Sequence, residues 1–339
     1  MYQLTERQQA DLKAFKSCFV EHPILTQIIQ DFERLRANRQ LGGDQQCMLL
    51  TGDTGSGKSH LINHYKQRFQ RRQIGQVVTC PLLVSRIPSK LDLEQTMIQL
   101  LYDLGQFGSE RRKGRSSDIG LTESLVDLLK LCQTELIIIN EFQELIEFKS
   151  AKERQSIANR FKYISEEAGV PIVFVGMPWA ESITEEPQWA SRLLYRRQIP
   201  YFRLSDPQGP EVFVRFLKGL AMRMPFEVVP KIEKKEIALA LFAASRGEVR
   251  KLKHLLNEAV ALAMEGGSQT LHRNHLASAF AVFYPSLTNP FEQKPEELEF
   301  SEVDSYSTYN PTAMTEDDAL LPTRFTKVMS LTQLLKRRG

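Results

Sequence analysis

The sequence predicts an α/β protein, a parallel sheet covered by helices on both faces, followed by a small all-helical module. Across residues 41–205, short, continuously apolar runs (47–50, 77–84, 136–139 and 171–175) alternate with amphipathic stretches. Strands apolar on both sides are those of a sheet sandwiched between helix layers. After Asp206 the strand signal stops, and residues 212–222, 234–244, 248–264 and 274–283 carry helical periodicity, a compact bundle spanning 206–284. Finally, a glycine-rich turn joins the first apolar run to an amphipathic helix with Leu61, Ile62, Tyr65 and Phe69 on one face.

Composition narrows the class. A chain of 339 residues with 42% apolar and 25% charged residues has room for one to three globular domains. The net charge of +3 is too small to imply a polyanionic partner by itself. The cysteines Cys18, Cys47, Cys80 and Cys132 are scattered without a C-x-x-C pair, which points to core residues in a reducing cytosol. His60 and His64 stand four apart but lack the glutamate of a zinc helix, so no metal role is assigned to them. No signal-peptide pattern and no apolar run of membrane-spanning length is present, so the expectation is a cytoplasmic protein without a membrane partner.

Residues 1–40 read as a helical segment. Leu12, Phe15 and Phe19 recur at helical spacing, His22-Pro23 interrupts, and Ile24, Ile28, Phe32 and Leu35 resume. This segment either packs as a cover on the next domain or closes over a bound base. A second buried strand is expected over 76–84, a helix over 91–104 and an arginine-rich loop over 105–120. A helix at 121–132, the strand 136–139, a charged helix at 152–167 and a strand at 171–176 follow. A basic helix is expected at 191–197 and a short strand at 199–204. Residues 285–339 are polar, first acidic and then basic, and are expected to form a largely disordered arm with apolar anchors such as Leu331, Leu334 and Leu335.

Gly52, Asp53, Thr54, Gly55, Ser56, Gly57, Lys58 and Ser59 fit G-x-x-x-x-G-K-[ST], the phosphate-binding loop, with His60 next. Glycines let successive backbone N–H groups turn toward one anion, and the following helix adds its positive end. Lys58 would reach the β- and γ-phosphates of ATP and the Ser59 hydroxyl would ligate Mg²⁺. The strand 136–139 runs straight into Asn140 and Glu141, placing Glu141 as the catalytic base that orients water. Asn140 stands where an aspartate is expected. Its oxygen can order the Mg²⁺ shell but brings no charge, which leaves slow hydrolysis or a switch that seldom cleaves ATP.

These residues resemble the AAA+ P-loop ATPases, and within them the TnsC/TniB regulators of DNA transposition. The stretch Cys47 to Ser59, the segment Ile138 to Gln143, the segment Val173 to Pro178 and the opening with His22-Pro23 carry the likeness. The resemblance spans about 1–284 and looks closest to TnsC of CRISPR-associated transposons that use Cascade. The resemblance implies an ATP-dependent ring or filament on duplex DNA, linking a TniQ-type target-selection protein to a TnsA/TnsB-type transposase and dismantled by hydrolysis. It also implies that Arg250, in Gly247-x-x-Arg250, reads the γ-phosphate from the helical lid, a solvated helix arginine being the alternative. An arginine finger acting on a neighbouring subunit would come from Arg192 or Arg196. Arg86, Lys90, Arg111, Arg112, Lys113 and Arg115 are the candidates for the phosphate backbone of DNA. At the sensor position after the fourth strand the family is normally polar, whereas Gly176-Met177 stands here. Three alternatives remain: a replication initiator or helicase loader, a small-molecule kinase, and a non-hydrolysing ATP-bound scaffold. The lid module argues against the kinase.

Overall fold

A computed structural model describes residues 3–42, 45–88, 92–105, 118–147, 149–185, 187–190, 192–310, 312 and 320–338. The two expected N-terminal helices are α1 (Glu6–Ser17) and α2 (Pro23–Gln40). Thr5 and Gln8 close a reciprocal capping box on α1, and Pro23 opens α2 where no N–H is needed. Next come β1 (Cys47–Gly52), α3 (Lys58–Lys66), a small hairpin of β2 (Gln73–Ile74) and β3 (Val77–Val78), and β4 (Leu82–Arg86). The single strand expected over 76–84 is thus divided. Pro81 has no N–H to donate to a ladder, and the chain bends there from hairpin into sheet.

The core continues through α4 (Leu93–Leu104), α5 (Asp118–Leu131), β5 (Leu136–Asn140), α6 (Gln143–Ile146), α7 (Ala151–Ala168) and β6 (Ile172–Gly176). A 3₁₀ turn (Pro178–Glu185), α8 (Pro187–Ala190) and β7 (Leu193–Ile199) complete it. Five parallel strands form one sheet in the order β4-β5-β6-β1-β7. Cys47, Leu49, Ile137, Ile139 and Phe174 face α4, α5 and α7, while Met48, Leu50, Ile138, Val173 and Val175 face α2 and α3. Both faces are covered, as continuously apolar strands require.

The basic helix expected at 191–197 is a strand instead. In β7, Leu193 and Ile199 are buried while Leu194, Arg196 and Gln198 are exposed, the alternation of an edge strand paired on one side to β1. The charges that suggested a helix are the outward residues of that edge.

The helical module consists of α9 (Gly209–Ala221), α10 (Lys235–Ser245), α11 (Val249–Glu265) and α12 (Arg273–Phe283). Its core also takes Leu12 and Phe15 from α1, so the segment 1–40 is split between lid and sheet. The tail is not a disordered arm over its described part. Phe291, Leu298, Phe300 and Leu334 are buried in the lid core. Two ladders, β8 (Val303–Ser305) with β11 (Arg324–Phe325) and β9 (Thr308–Tyr309) with β10 (Leu320–Leu321), precede α13 (Leu331–Leu335). Its acids concealed this. Glu302 is fully buried and accepts from the Ser205 hydroxyl, with the Arg203 guanidinium 3.6 Å away.

Phe300→Ala should therefore lower the unfolding free energy by roughly 3–5 kcal/mol in urea titration, the usual cost of emptying a buried aromatic position. Unchanged stability would mean that the tail is not part of the lid core.

Candidate nucleotide site

The site forms where the C-terminal ends of the strands meet the start of α11. β1 runs into the glycine-rich loop and α3 begins at Lys58. Gly55 lies at φ 78°, and a Cβ there would sit 2.8 Å from Cβ of Arg250. The Arg250 N–H donates to the Gly55 carbonyl at 3.1 Å. The lid thus touches the tip of the loop directly. Gly247 makes this possible. It lies at φ 79°, its carbonyl accepts from the Phe202 N–H at 3.0 Å, and a side chain would collide with the Phe202 carbonyl. Three residues later, Arg250 falls in the first turn of α11, facing the loop.

Thr54, Gly55, Gly57, Lys58, Ser59, His60, Glu141 and Arg250 line one cleft of about 400 Å³, so much of the nucleotide set singled out in the sequence comes together. Lys58 is buried and donates to the Gly52 carbonyl at 2.5 Å and the Asp53 carbonyl at 3.1 Å. Burial pushes its ammonium down to about 8, against the opposing pull of Glu141 and Asp53. Burial also lowers His60, helped by the charges of Lys253 and Arg250. Lys16, Lys253, His254 and Asn257 line the same cleft and were missed in the sequence. Their signal was available: 253, 254 and 257 are i+3, i+4 and i+7 from Arg250, one face of a helix. Lys253 also anchors α1, donating to the Phe15 carbonyl at 2.8 Å.

β5 ends at Asn140, and Glu141 turns the chain with a left-handed φ of 59°. The Gln143 amide donates to Glu141 Oε2 at 2.9 Å, while its carbonyl oxygen accepts from the Met177 N–H at 3.1 Å. Gln143 therefore supplies a polar group beside Met177, a role that the sequence reading did not assign to it. The Met177 sulfur lies 4.0 Å from Lys58 Nζ and 3.8 Å from Thr54 Oγ1. Asn140 continues the face of Ile138 toward α3, and its Oδ1 is buried without a hydrogen-bond partner. A buried, unpartnered carboxamide oxygen suits a hydrated divalent cation. Among the described residues no group of three or more His, Cys, Asp or Glu could hold a metal.

Other expected residues lie elsewhere. Asp53 is buried behind the loop, where its carboxylate accepts from Ser307 of the tail. Arg192 precedes β7 at the opposite end of the sheet and is ion-paired to Glu166. Arg196 is exposed on β7, without an ion pair among the described residues. Arg86 is exposed at the end of β4. Lys90, Arg111, Arg112, Lys113 and Arg115 lie outside the described residues. No described helix is long and apolar enough to cross a membrane.

A parallel sheet in this order, with a phosphate loop after the strand next to its β7 edge and a helical module folded back on that loop, defines an AAA+ P-loop ATPase fold. The ORC2 protein of Aeropyrum pernix, solved as ADPNP-ADP complexes, superposes with TM-score 0.59 at 16% identity over 81% of this chain and 74% of that one. The ORC1 protein of the same organism, in complex with DNA, gives 0.56 at 18% identity over 82% and 69%. Cdc6p from Pyrobaculum aerophilum gives 0.56 at 13% identity over 79% and 69%. Comparison with curated proteins finds no match. The profile of the bacterial TniB protein family matches residues 13–202, and the chain belongs to that family.

The depressed Lys58 has a measurable consequence. Its folded value is about 8 and its ordinary value 10.5, so the unfolded chain binds more protons between those limits and stability rises with pH across them. The unfolding free energy of nucleotide-free protein, relative to Lys58→Met, should climb by up to about 3 kcal/mol from pH 8 to 10.5. A flat difference would show that Lys58 is not desolvated.

Proposed function

We propose that the chain is an ATP-binding, slowly hydrolysing regulator of DNA transposition that assembles on duplex DNA when ATP is bound. The observation that carries this is the convergence of the phosphate loop, Glu141 and Arg250 in one cleft, in a chain of the TniB family. Backbone N–H groups of the loop and the Lys58 ammonium would hold the β- and γ-phosphates. Displacing Lys58 from the loop carbonyls costs little once an anion replaces them. Arg250, already on the loop through its backbone, would reach the γ-phosphate and couple its presence to the lid. Ser59 and Asn140 would hold Mg²⁺, which supplies charge neutralisation on the phosphates when bound. Glu141 would orient the attacking water, with Gln143 fixing its rotamer.

Hydrolysis is slow in this account because Asn140 lends no charge and Met177 no hydrogen bond. The finger that completes the site comes from a neighbouring subunit. Arg196 projects from an exposed edge, whereas Arg192 must first leave Glu166, so the geometry favours Arg196. Arg86, and by the sequence reading Lys90, Arg111, Arg112, Lys113 and Arg115, would meet the DNA backbone without reading bases. By the motifs Cys47 to Ser59 and Ile138 to Gln143, the chain resembles TnsC of Cascade-using transposons. TniQ-type and TnsA/TnsB-type partners follow from that kinship. A second reading, an ATP-bound scaffold that does not hydrolyse, draws on the same Asn140 and Met177.

Phosphate release with and without duplex DNA separates the two. The wild type should turn over slowly and Glu141→Gln should bind ATP without releasing phosphate. Lys58→Ala should lose ATP binding. Equal release from wild type and Glu141→Gln would remove Glu141 from the base role, and no release from wild type would leave the scaffold. DNA affinity should fall by about 10³-fold or more between 50 and 200 mM salt with little dependence on sequence, as polyvalent phosphate contact requires. A salt-independent affinity would exclude such contacts.

A further inference from the structure

The second residue of the phosphate loop is an acid, an unfavourable neighbour for a triphosphate. Asp53 is 1% exposed, and its carboxylate is turned away from the cleft into the C-terminal segment. There it accepts from the Ser307 N–H at 2.8 Å, from the Ser307 hydroxyl at 3.0 Å and from the Thr323 hydroxyl. Within the loop it accepts only from the Thr54 N–H, at 2.7 Å. Ser307 and Thr323 lie 254 and 270 residues from Asp53 in the chain, yet they supply most of the hydrogen bonds that its carboxylate accepts.

The same segment grips the hinge between sheet and lid. Tyr201 donates its hydroxyl to the Thr54 carbonyl at 2.5 Å and stacks on Phe325 of β11, rings 6.4 Å apart. Burial beside Asp53 raises the Tyr201 phenol and keeps it a donor. The Arg246 guanidinium, at the end of α10, and the Lys251 ammonium, in the first turn of α11, lie 5.2 Å and 5.6 Å from the centre of the same Phe325 ring. Glu302 is held by Ser205 and Arg203 of the hinge. Loop, hinge and the helix bearing Arg250 therefore meet on one short strap.

We propose that residues 303–309 and 320–326 form a strap that completes the nucleotide site, with Ser307 and Thr323 as positioning residues that hold the Asp53 carboxylate away from the phosphates. The inference rests on the nucleotide reading given above. Its direction follows from charge. An undocked strap leaves Asp53 without its donors beside the phosphate cradle, where it repels the ligand and is free to rotate toward the loop N–H groups. Nucleotide thus binds the docked form more tightly, and by linkage a bound nucleotide tightens the docking.

The test uses the full chain and a fluorescent ATP analogue. Ser307→Ala with Thr323→Ala should weaken binding about tenfold or more, the effect of leaving a buried charge without donors. In an Asp53→Asn background the same pair should change binding less than about threefold, because no charge is left to compensate. Hydrogen exchange of amides 303–309 and 320–326 in the wild type, which needs no variant to fold, should slow when the analogue is added. Wild type that binds the analogue, with variants binding equally and exchange unchanged or faster, overturns the strap and leaves the nucleotide reading standing. Wild type that does not bind the analogue overturns both.

Discussion

A loop that presents a run of backbone N–H groups to one point gives up the bonds those groups make elsewhere, so its shape must be held from the carbonyl side. Here that side is gripped residue by residue. The Gly52 and Asp53 carbonyls accept from Lys58, the Thr54 carbonyl from Tyr201 and the Gly55 carbonyl from the Arg250 N–H. Each grip comes from a different part of the chain: the loop's own helix, the hinge after β7 and the lid. The loop is consequently where sheet and lid are joined, and a ligand that pulls on its N–H groups acts on all of them. Lys58 is the exchangeable grip, since its partly desolvated ammonium has more to gain from a phosphate than from two carbonyls.

Charge is sorted across the loop. Lys16, Lys58, Arg250 and Lys253 stand on the cleft side with Glu141, and Asp53 is turned to the other side. Cations crowded at partial desolvation favour an anionic ligand. The departures at Asn140 and Met177 affect metal charge and γ-phosphate sensing, not the cradle. On the proposed reading, such a site is better built to hold a triphosphate than to cleave it.

Much of this was legible in the sequence because local rules govern it. The glycine spacing from Gly52 to Gly57, the apolar runs of β1, β5 and β6, and the Gly247-x-x-Arg250 step each reflect a constraint within one short stretch. What failed depended on distant partners. β7 looked helical because its outward Arg196 and Gln198 alternate with residues whose burial is decided by β1 and α2. The tail looked disordered because its acids outnumber its anchors, although Glu302 and Phe300 are among the most buried residues of their kind. No rule of spacing joins Ser307 or Thr323 to Asp53. The polar stripe of Lys253, His254 and Asn257 was readable by helical period, whereas the part of Gln143 depends on its distant contact with Met177.

On the proposed reading the loop is a switch that ATP closes and that assembly reads, and the edge at Arg196 is exposed. Electron microscopy of the purified chain on duplex DNA tests this most directly, comparing a non-hydrolysable ATP analogue with nucleotide-free buffer. Rings or filaments on DNA with the analogue, absent without nucleotide, are the predicted result. DNA bare of ordered assemblies in the presence of the analogue, or the same assemblies without any nucleotide, would contradict it.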